Sequence, residues 1–364
     1  MSNTAAAVDF DIKVNGTEIP DGNVIAWAVE QDLNQPDMCV ITLRNQTHDY
    51  NDKFKPGHSV EVLVGGGSRG TEDGSNAGSK VTIFKGELVG LEPSYRQGGE
   101  SKMVLRAFNK LHRLTRGRKS KTYQKQADQD ICSAIAGLHG LSAQSGSTPK
   151  IKHEHVYQHN QTDLEFLRVR AARIGYAVWC EDTKLFFDAP KLDKDSGIEL
   201  KLDKNADKKL KSFSGRLNNS HVVKKVTVRG WDPQQKKEIV GEVSAKSSPL
   251  GSSNAASSLS DFGEVVTFTV DHPIFSVEEA KAIAQSKLDE FSMSYLTAEA
   301  EAMGHSGVKP GIVVKIVVNQ DTPTDTFNGK YLVQGCTHRF SQSKGGEGGY
   351  VTGLRLTRDA TKGS

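Results

Sequence analysis

The chain has 364 residues, of which 36% are hydrophobic and 25% charged, with a formal net charge of +3. That balance belongs to a soluble globular protein with length for two or three domains and sizeable cores. The charge is too small to imply a nucleic-acid or membrane partner by itself. Met1–Phe10 carries no secretory-signal pattern, and no run of about 18 apolar residues is present to span a membrane. Cys39, Cys132, Cys180 and Cys336 lie far apart with no C-x-x-C pair. Buried free thiols in a reducing cytoplasm are expected, rather than zinc or redox chemistry.

The N-terminal region reads as strands. Phe10, Ile12 and Val14 alternate with charged residues, and Asn15-Gly16 supplies a hairpin turn. Val24–Glu30 and Met38–Leu43 follow as strands. Gly65–Lys80 is rich in Gly and Ser and reads as a flexible loop between strands. Residues 124–140 predict a helix with Ile131, Ile135 and Leu138 on one face and Gly140 as its stop. Thr162-Asp163-Leu164-Glu165 is a capping box, and it opens a helix whose stripe is Leu164, Leu167, Ala171 and Ile174. Gly175 closes it. Tyr176–Cys180 and Lys184–Asp188 form a hairpin.

A second strand-rich region starts near Ile198. Val222–Val228 runs into Gly230-Trp231-Asp232-Pro233, read as a structural turn with a buried indole. Ser244–Asp261 is Ser-rich and reads as a disordered or looping excursion. Ser276 caps a further helix to about Tyr295, with Ala280, Ile283, Ala284, Leu288 and Phe291 on its buried side.

The two ends of the chain match. Lys55-Pro56-Gly57, Val60–Val64, Phe84–Gly90, a Gly98-Gly99 turn and Val104-Leu105-Arg106 recur in the same order at the other end. There they are Lys309-Pro310-Gly311, Val313–Val317, Phe327–Val333, Gly348-Gly349 and Leu354-Arg355-Leu356. Such a duplication fits a body built by ring symmetry better than one built around a catalytic pocket.

Candidate chemistry is sparse. Gly65–Gly70 satisfies G-x-G-x-x-G, and Gly66–Gly70 satisfies G-x-S-x-G. No helical pattern follows to bind a pyrophosphate or position a nucleophile, so a loop is expected. His153, His155 and His159 lack a completing carboxylate or cysteine and read as an exposed cluster rather than a metal site. Residues 102–125 carry nine basic side chains and no acidic one. Phe108 and Tyr123 alone make a poor stacking platform for nucleic acid. Arg113, Arg116, Arg118, Lys119 and Lys121 are therefore candidates for an interface with acidic neighbours or a lumen. No catalytic residue, cofactor or metal site is assigned.

Tyr157-Gln158-His159-Asn160-Gln161-Thr162-Asp163-Leu164-Glu165-Phe166-Leu167, followed by Ala171–Tyr176, resembles the signature segment of the phage late control D family. Val226–Pro233, with Gly230-Trp231-Asp232, and the terminal pattern through Tyr331, His338-Arg339-Phe340 and Gly349–Thr352 are similar to that family too. The signature positions carried over are Tyr157, Asp163, Phe166, Gly175, Gly230, Trp231 and Asp232. The family contains the T-even phage baseplate hub and the hub portion of the VgrG spikes of type VI secretion.

The resemblance implies a mainly β, α+β chain with two tail-tube-like antiparallel β-barrels and a small inserted α/β region. The expected divisions are 8–115 for the first barrel, 116–197 for a linker and insertion, and 198–360 for the second barrel. It implies a non-enzymatic homotrimeric hub that adapts a sixfold inner tube above to a threefold, separate spike protein below, among other baseplate components. It implies synthesis in the cytoplasm and assembly into a tail or injection particle. Rival expectations are a tail-tip cell-wall hydrolase and a nucleic-acid-binding β protein. The first would need an acid and base paired in a cleft, the second salt-dependent DNA binding.

Overall fold

The computed structural model describes residues 8–65, 80–147, 149–203, 209–232, 235–262, 266–269, 274–342 and 349–362. The Gly-rich loop and its G-x-G-x-x-G match fall almost wholly outside these described residues, as does Pro233.

The first part of the chain is all strand: β1 (Phe10–Val14), β2 (Thr17–Glu18), β3 (Val24–Asp32), β4 (Met38–Arg44), β5 (Ser59–Gly65), β6 (Lys80–Ser94) and β7 (Lys102–Phe108). A 3-10 turn at Lys110–Thr115 leads to β8 (Lys119–Ala127), α1 (Asp128–Leu138), β9 (Ser142–Ser145), β10 (Lys152–Gln161), α2 (Asp163–Arg173), β11 (Ala177–Glu181) and β12 (Lys184–Asp188). The last part holds β13 (Asp195–Lys201), β14 (Leu210–Leu217), β15 (Lys225–Asp232), β16 (Lys237–Ser244), β17 (Ser253–Asn254), β18 (Val266–Thr269) and α3 (Val277–Met293). It ends with β19 (Leu296–Met303), β20 (Val313–Val317), β21 (Gly329–Ser341), β22 (Gly349–Arg358) and β23 (Ala360–Thr361).

One sheet runs through both ends of the chain, in the order β14-β19-β22-β21-β3-β4-β7-β6-β5-β1-β2, with β13 and β20 branching from β21. It contains the same six-strand unit twice, β1-β5-β6-β7-β4-β3 and β13-β20-β21-β22-β19-β14. The match extends to irregularities. The register shift between Leu88 and Gly90 against β7 recurs between Val333 and Gly335 against β22. The shift between Val24 and Ala26 recurs between Leu210 and Ser212. Gly57 N–H donates to Leu88 O and Leu88 N–H to His58 O; Gly311 and Val333 repeat this pair, with Ile312 in the place of His58. Both turn glycines need positive φ, +92° at Gly57 and +84° at Gly311, which a side chain would strain. The units differ at one joint: β1 runs antiparallel to β5, whereas β13 runs parallel to β20.

Two sequence matches are corrected by this register. Leu88 corresponds to Val333, so Phe84–Gly90 and Phe327–Val333 were aligned two residues out of step. Leu105-Arg106 corresponds to Leu354-Arg355, so Val104-Leu105-Arg106 sits one residue away from its assigned match. The shared Phe-x-Gly spelling is coincidence; the shared bulge glycines are Gly90 and Gly335.

Apolar side chains gather in four clusters. One fills the first unit around Trp27, Ile41 and Leu105, and one the second around Tyr331, Leu354 and Leu356. A third packs α1, α2 and the β11–β12 hairpin on Leu167, Val178 and Phe187. A fourth packs α3 on β15 and β16 through Ala280, Ile283 and Leu288. Burying each of the larger aliphatic side chains contributes about 1.5–3 kcal/mol.

The predicted capping box at Thr162 and the predicted N-cap at Ser276 both form. Thr162 Oγ1 accepts the Glu165 N–H at 3.1 Å while Glu165 Oε2 accepts the Thr162 N–H at 2.9 Å. Ser276 Oγ accepts the Glu279 N–H at 3.1 Å. Other expectations fail locally. The helix predicted over 124–140 starts at Asp128, because Gln124–Ala127 pair with β10 as strand. Leu138, assigned to its buried face, is 63% exposed, and Cys132 and Ala136 are buried instead. Ser244–Asp261 is not a free excursion: Ser253 and Asn254 pair with Thr361 and Ala360, and Leu250, Ala255 and Leu259 are buried.

Candidate interface surfaces and buried polar clusters

The basic stretch finds its acids inside the chain. Arg113 forks onto Glu87 of β6 and donates to the His139 carbonyl at 3.1 Å, tying the first unit to the insertion. Arg118 donates to Glu165 at 3.0 Å and to the Asn160 carbonyl at 2.7 Å. Lys119 lies 2.5 Å from Asp163. Arg106 holds Glu92 and Lys110 reaches Asp182. Arg116 Nη2 stands 3.4 Å from His112 Nε2, and Lys121 lies over the Tyr123 ring at 4.9 Å. A run that looks uncompensated in sequence is thus largely neutralised by residues distant in sequence, and its potential as a cationic patch shrinks accordingly.

The signature residues separate into buried and exposed sets. Asp163 is buried and receives Lys119, Gln158 Nε2 at 3.1 Å and His139 at 2.7 Å. Burial would raise this carboxyl, but the bonds from His139, Lys119 and Gln158 outweigh it and hold it below the usual range. It therefore knots β8, β10 and the ends of α1 and α2. Phe166 stacks on Tyr123 with ring centroids 5.6 Å apart. Gly175 ends α2 at φ +73°. Gly230 lets Ile274 approach, since a Cβ there would meet it at 2.9 Å. Asp232 accepts the Gln235 N–H. Trp231, expected to be buried, is 59% exposed, because the strand alternation that buries Val226 and Val228 turns it to the opposite face from α3. Tyr157 is 51% exposed beside His159.

His153 is not part of an exposed cluster. It is buried, with Nε2 3.2 Å from Asp128 and Nδ1 3.5 Å from Glu279. Arg170 Nε donates to Asp128 at 2.6 Å, and Arg173 Nη2 lies 3.1 Å from Glu279. His155 faces solvent, the alternation of buried and exposed residues along β10 breaking between His153 and Val156. Sequence inspection missed this network; its members come from β10, α1, α2 and α3, so no local spacing could announce it. Among the described residues no group of three His, Cys, Asp or Glu is placed to hold a metal ion.

Cys336 and His338 form a second buried pair, Sγ to Nε2 at 3.6 Å. Burial drives the thiol upward and the imidazole down to about 4, so both are neutral and the pair is no thiolate nucleophile. His338 Nδ1 meets Tyr350 Oη at 2.7 Å. A cleft of about 740 Å³ opens between the insertion, α3 and the second unit. Two of its four carboxyls, Asp289 and Asp359, are raised by desolvation; Asp359 accepts from Ser248 Oγ, and Asp289 from Gln285 at 2.7 Å. No helix among the described residues is long and apolar enough to cross a membrane.

The family model described as the Alg8 N-terminal domain matches residues 4–342, a description that states no activity. No curated protein matches the chain. Among solved structures, the 43 kDa tail protein of prophage MuSo2 from Shewanella oneidensis is 14% identical at a TM-score of 0.67, covering 97% of this chain and 99% of that one. A tail protein from Neisseria meningitidis MC58 is 13% identical at 0.68, covering 97% and 96%. The E. coli c3393 protein is 12% identical at 0.57, covering 97% and 78%. That protein is described as a type VI secretion component structurally similar to the T4 phage tail proteins gp27 and gp5. The chain shares its fold with these phage tail proteins and this type VI secretion component.

Proposed function

The chain belongs to the Alg8 N-terminal domain family, and from the fold it shares with tail proteins we propose that it is the structural hub of a contractile phage tail or phage-tail-like injection system. The observation that carries this reading is the duplicated six-strand unit, joined in one chain through the pairing of β3 with β21.

The two units, within 8–115 and 198–360, are tube-like barrels in this reading, with 116–197 as the insertion between them. Three chains bring six such units round an axis. That ring presents a pseudo-sixfold face to an inner tube and a threefold face to a separate spike. Heterologous contacts repeated around an axis close such a ring, and closure covers sheet edges that would otherwise invite aggregation. The protein is made in the cytoplasm and works in the assembled particle. Its role is geometric, without catalysis, cofactor or specific nucleic acid.

Native mass spectrometry with negative-stain imaging tests the reading. A homotrimer forming a six-lobed ring, or one recruited by tube or spike protein, is expected. A strict monomer at high concentration with both partners present contradicts it.

A further inference from the structure

We propose that Arg216 of one copy and Glu92 of the next face each other across the seam between chains and set its strand register. The inference rests on the ring reading above and takes it to individual residues.

Inside one chain the two units are joined by β3 lying antiparallel on β21, with Gly335 opposite Asp32, Thr337 opposite Glu30 and Arg339 opposite Ala28. The shared bulges fix which residues correspond. Gly335, Thr337 and Arg339 correspond to Gly90, Glu92 and Ser94. Asp32, Glu30 and Ala28 correspond to Asn218, Arg216 and Ser214. The edge of β14 away from β19 has no strand partner among the described residues, and neither has the edge of Gly90–Ser94 away from β7. These are the two halves of the joint already seen within the chain, left unmade at its two ends. Ser212, Ser214 and Arg216 are exposed, as are Glu92 and Ser94.

Repeating the internal joint between copies places Gly90 opposite Asn218, Glu92 opposite Arg216 and Ser94 opposite Ser214. The central pair is oppositely charged. Arg216 makes no ion pair within its own chain among the described residues, and Glu92 is already held by Arg106 at 2.5 Å. Arg106 corresponds to Arg355, which reaches across Gly335 to Asp32 on the far side of the internal joint. A side chain at Gly335 would collide with Arg355, its Cβ meeting Nη2 at 2.6 Å. Gly90 leaves the equivalent gap for Arg106. Glu92 then sits between its own Arg106 and the neighbour's Arg216.

Charge decides register here. A slip of one residue turns every side chain to the wrong face, and a slip of two sets Arg216 against Gly90 or Ser94 and strands the carboxylate. Pro93 takes the place of His338 and faces Gly215, so with no N–H to donate it leaves this joint one ladder hydrogen bond short of the internal one.

The test is a cysteine pair, Glu92→Cys with Arg216→Cys, in the full chain. Directly opposed residues in an antiparallel ladder lie about 4.5–5.5 Å apart at Cα, within disulfide reach. Oxidation is expected to link most of the protein into covalent trimers, with Glu92→Cys plus Ser212→Cys giving little. Separately, Glu92→Arg should weaken assembly at least about tenfold through like-charge repulsion, and adding Arg216→Glu should restore it. A trimer that forms without the expected cross-link, or cross-links equally in the shifted pair, overturns the seam while the hub reading stands. A parent protein that stays monomeric with tube and spike present overturns both.

Discussion

Arg173 of α2 lies 3.1 Å from Glu279 of α3, and both side chains are buried where the insertion meets the second unit. Glu279 also receives the Phe275 N–H at 3.1 Å and faces His153. Desolvation lowers the Arg173 guanidinium from its usual range, and the neighbouring Arg170 adds to it. The pair therefore holds charge that water no longer supports. Glu279→Ala strands Arg173 and should cost about 3–5 kcal/mol, seen as an early unfolding transition in denaturant. Replacing both by apolar residues of similar volume should cost much less.

The Arg355–Asp32 contact makes the opposite case. Arg355 is more than half exposed, so solvent screens the pair. Arg355→Ala should cost less than about 1 kcal/mol. Denaturation midpoints of the two variants, measured together, check that burial rather than contact distance ranks them.

Asp37, between the first unit and the β11–β12 hairpin, is pushed up to about 7 by burial, against the partial relief of the Gln31 amide. Its folded value lies above the unfolded one, so the folded state binds more protons between about pH 4 and about pH 7. Stability contributed by this group is full below that window and declines as pH rises through it. Asp37→Asn should remove that part of the decline and be the more stable protein near pH 8, as pH-dependent denaturation midpoints would show.

The paired basic stretch makes a prediction about nucleic acid. With Arg113, Arg118 and Lys119 committed to Glu87, Glu165 and Asp163, DNA binding near physiological salt should be no tighter than non-specific. Titration with labelled duplex and single strand across a salt series checks this. Cell-wall digestion by the wild-type protein is expected to be absent, and activity that vanished in Asp289→Asn or Asp359→Asn would assign chemistry to the cleft.

Local patterns carried well. The capping box at Thr162, the stripe of α3 and the β11–β12 hairpin are set by neighbours within a few residues, so their spelling suffices. The Lys-Pro-Gly turns revealed the duplication because positive φ demands glycine in both copies. The alignment of the strands after them slipped, since the bulge that fixes register depends on strands far away in sequence. The joint of β3 with β21 was equally invisible: hydrophobic alternation names a strand's faces but not its edge partner. His153 and Trp231 failed for the same reason in reverse, one enclosed and the other exposed by elements remote from them. Among the candidate interface residues, each Arg and Lys was legible as a charge, but the acids that meet them were not.

In the assembled ring each of the two units supplies one lobe. Imaging the assembled protein by electron microscopy with symmetry-free classification tests that most directly. Six matching lobes from three chains, alternating between joints within a chain and joints between chains, are the predicted result. A particle of one chain, or a ring whose lobe number is not twice its chain number, would contradict it.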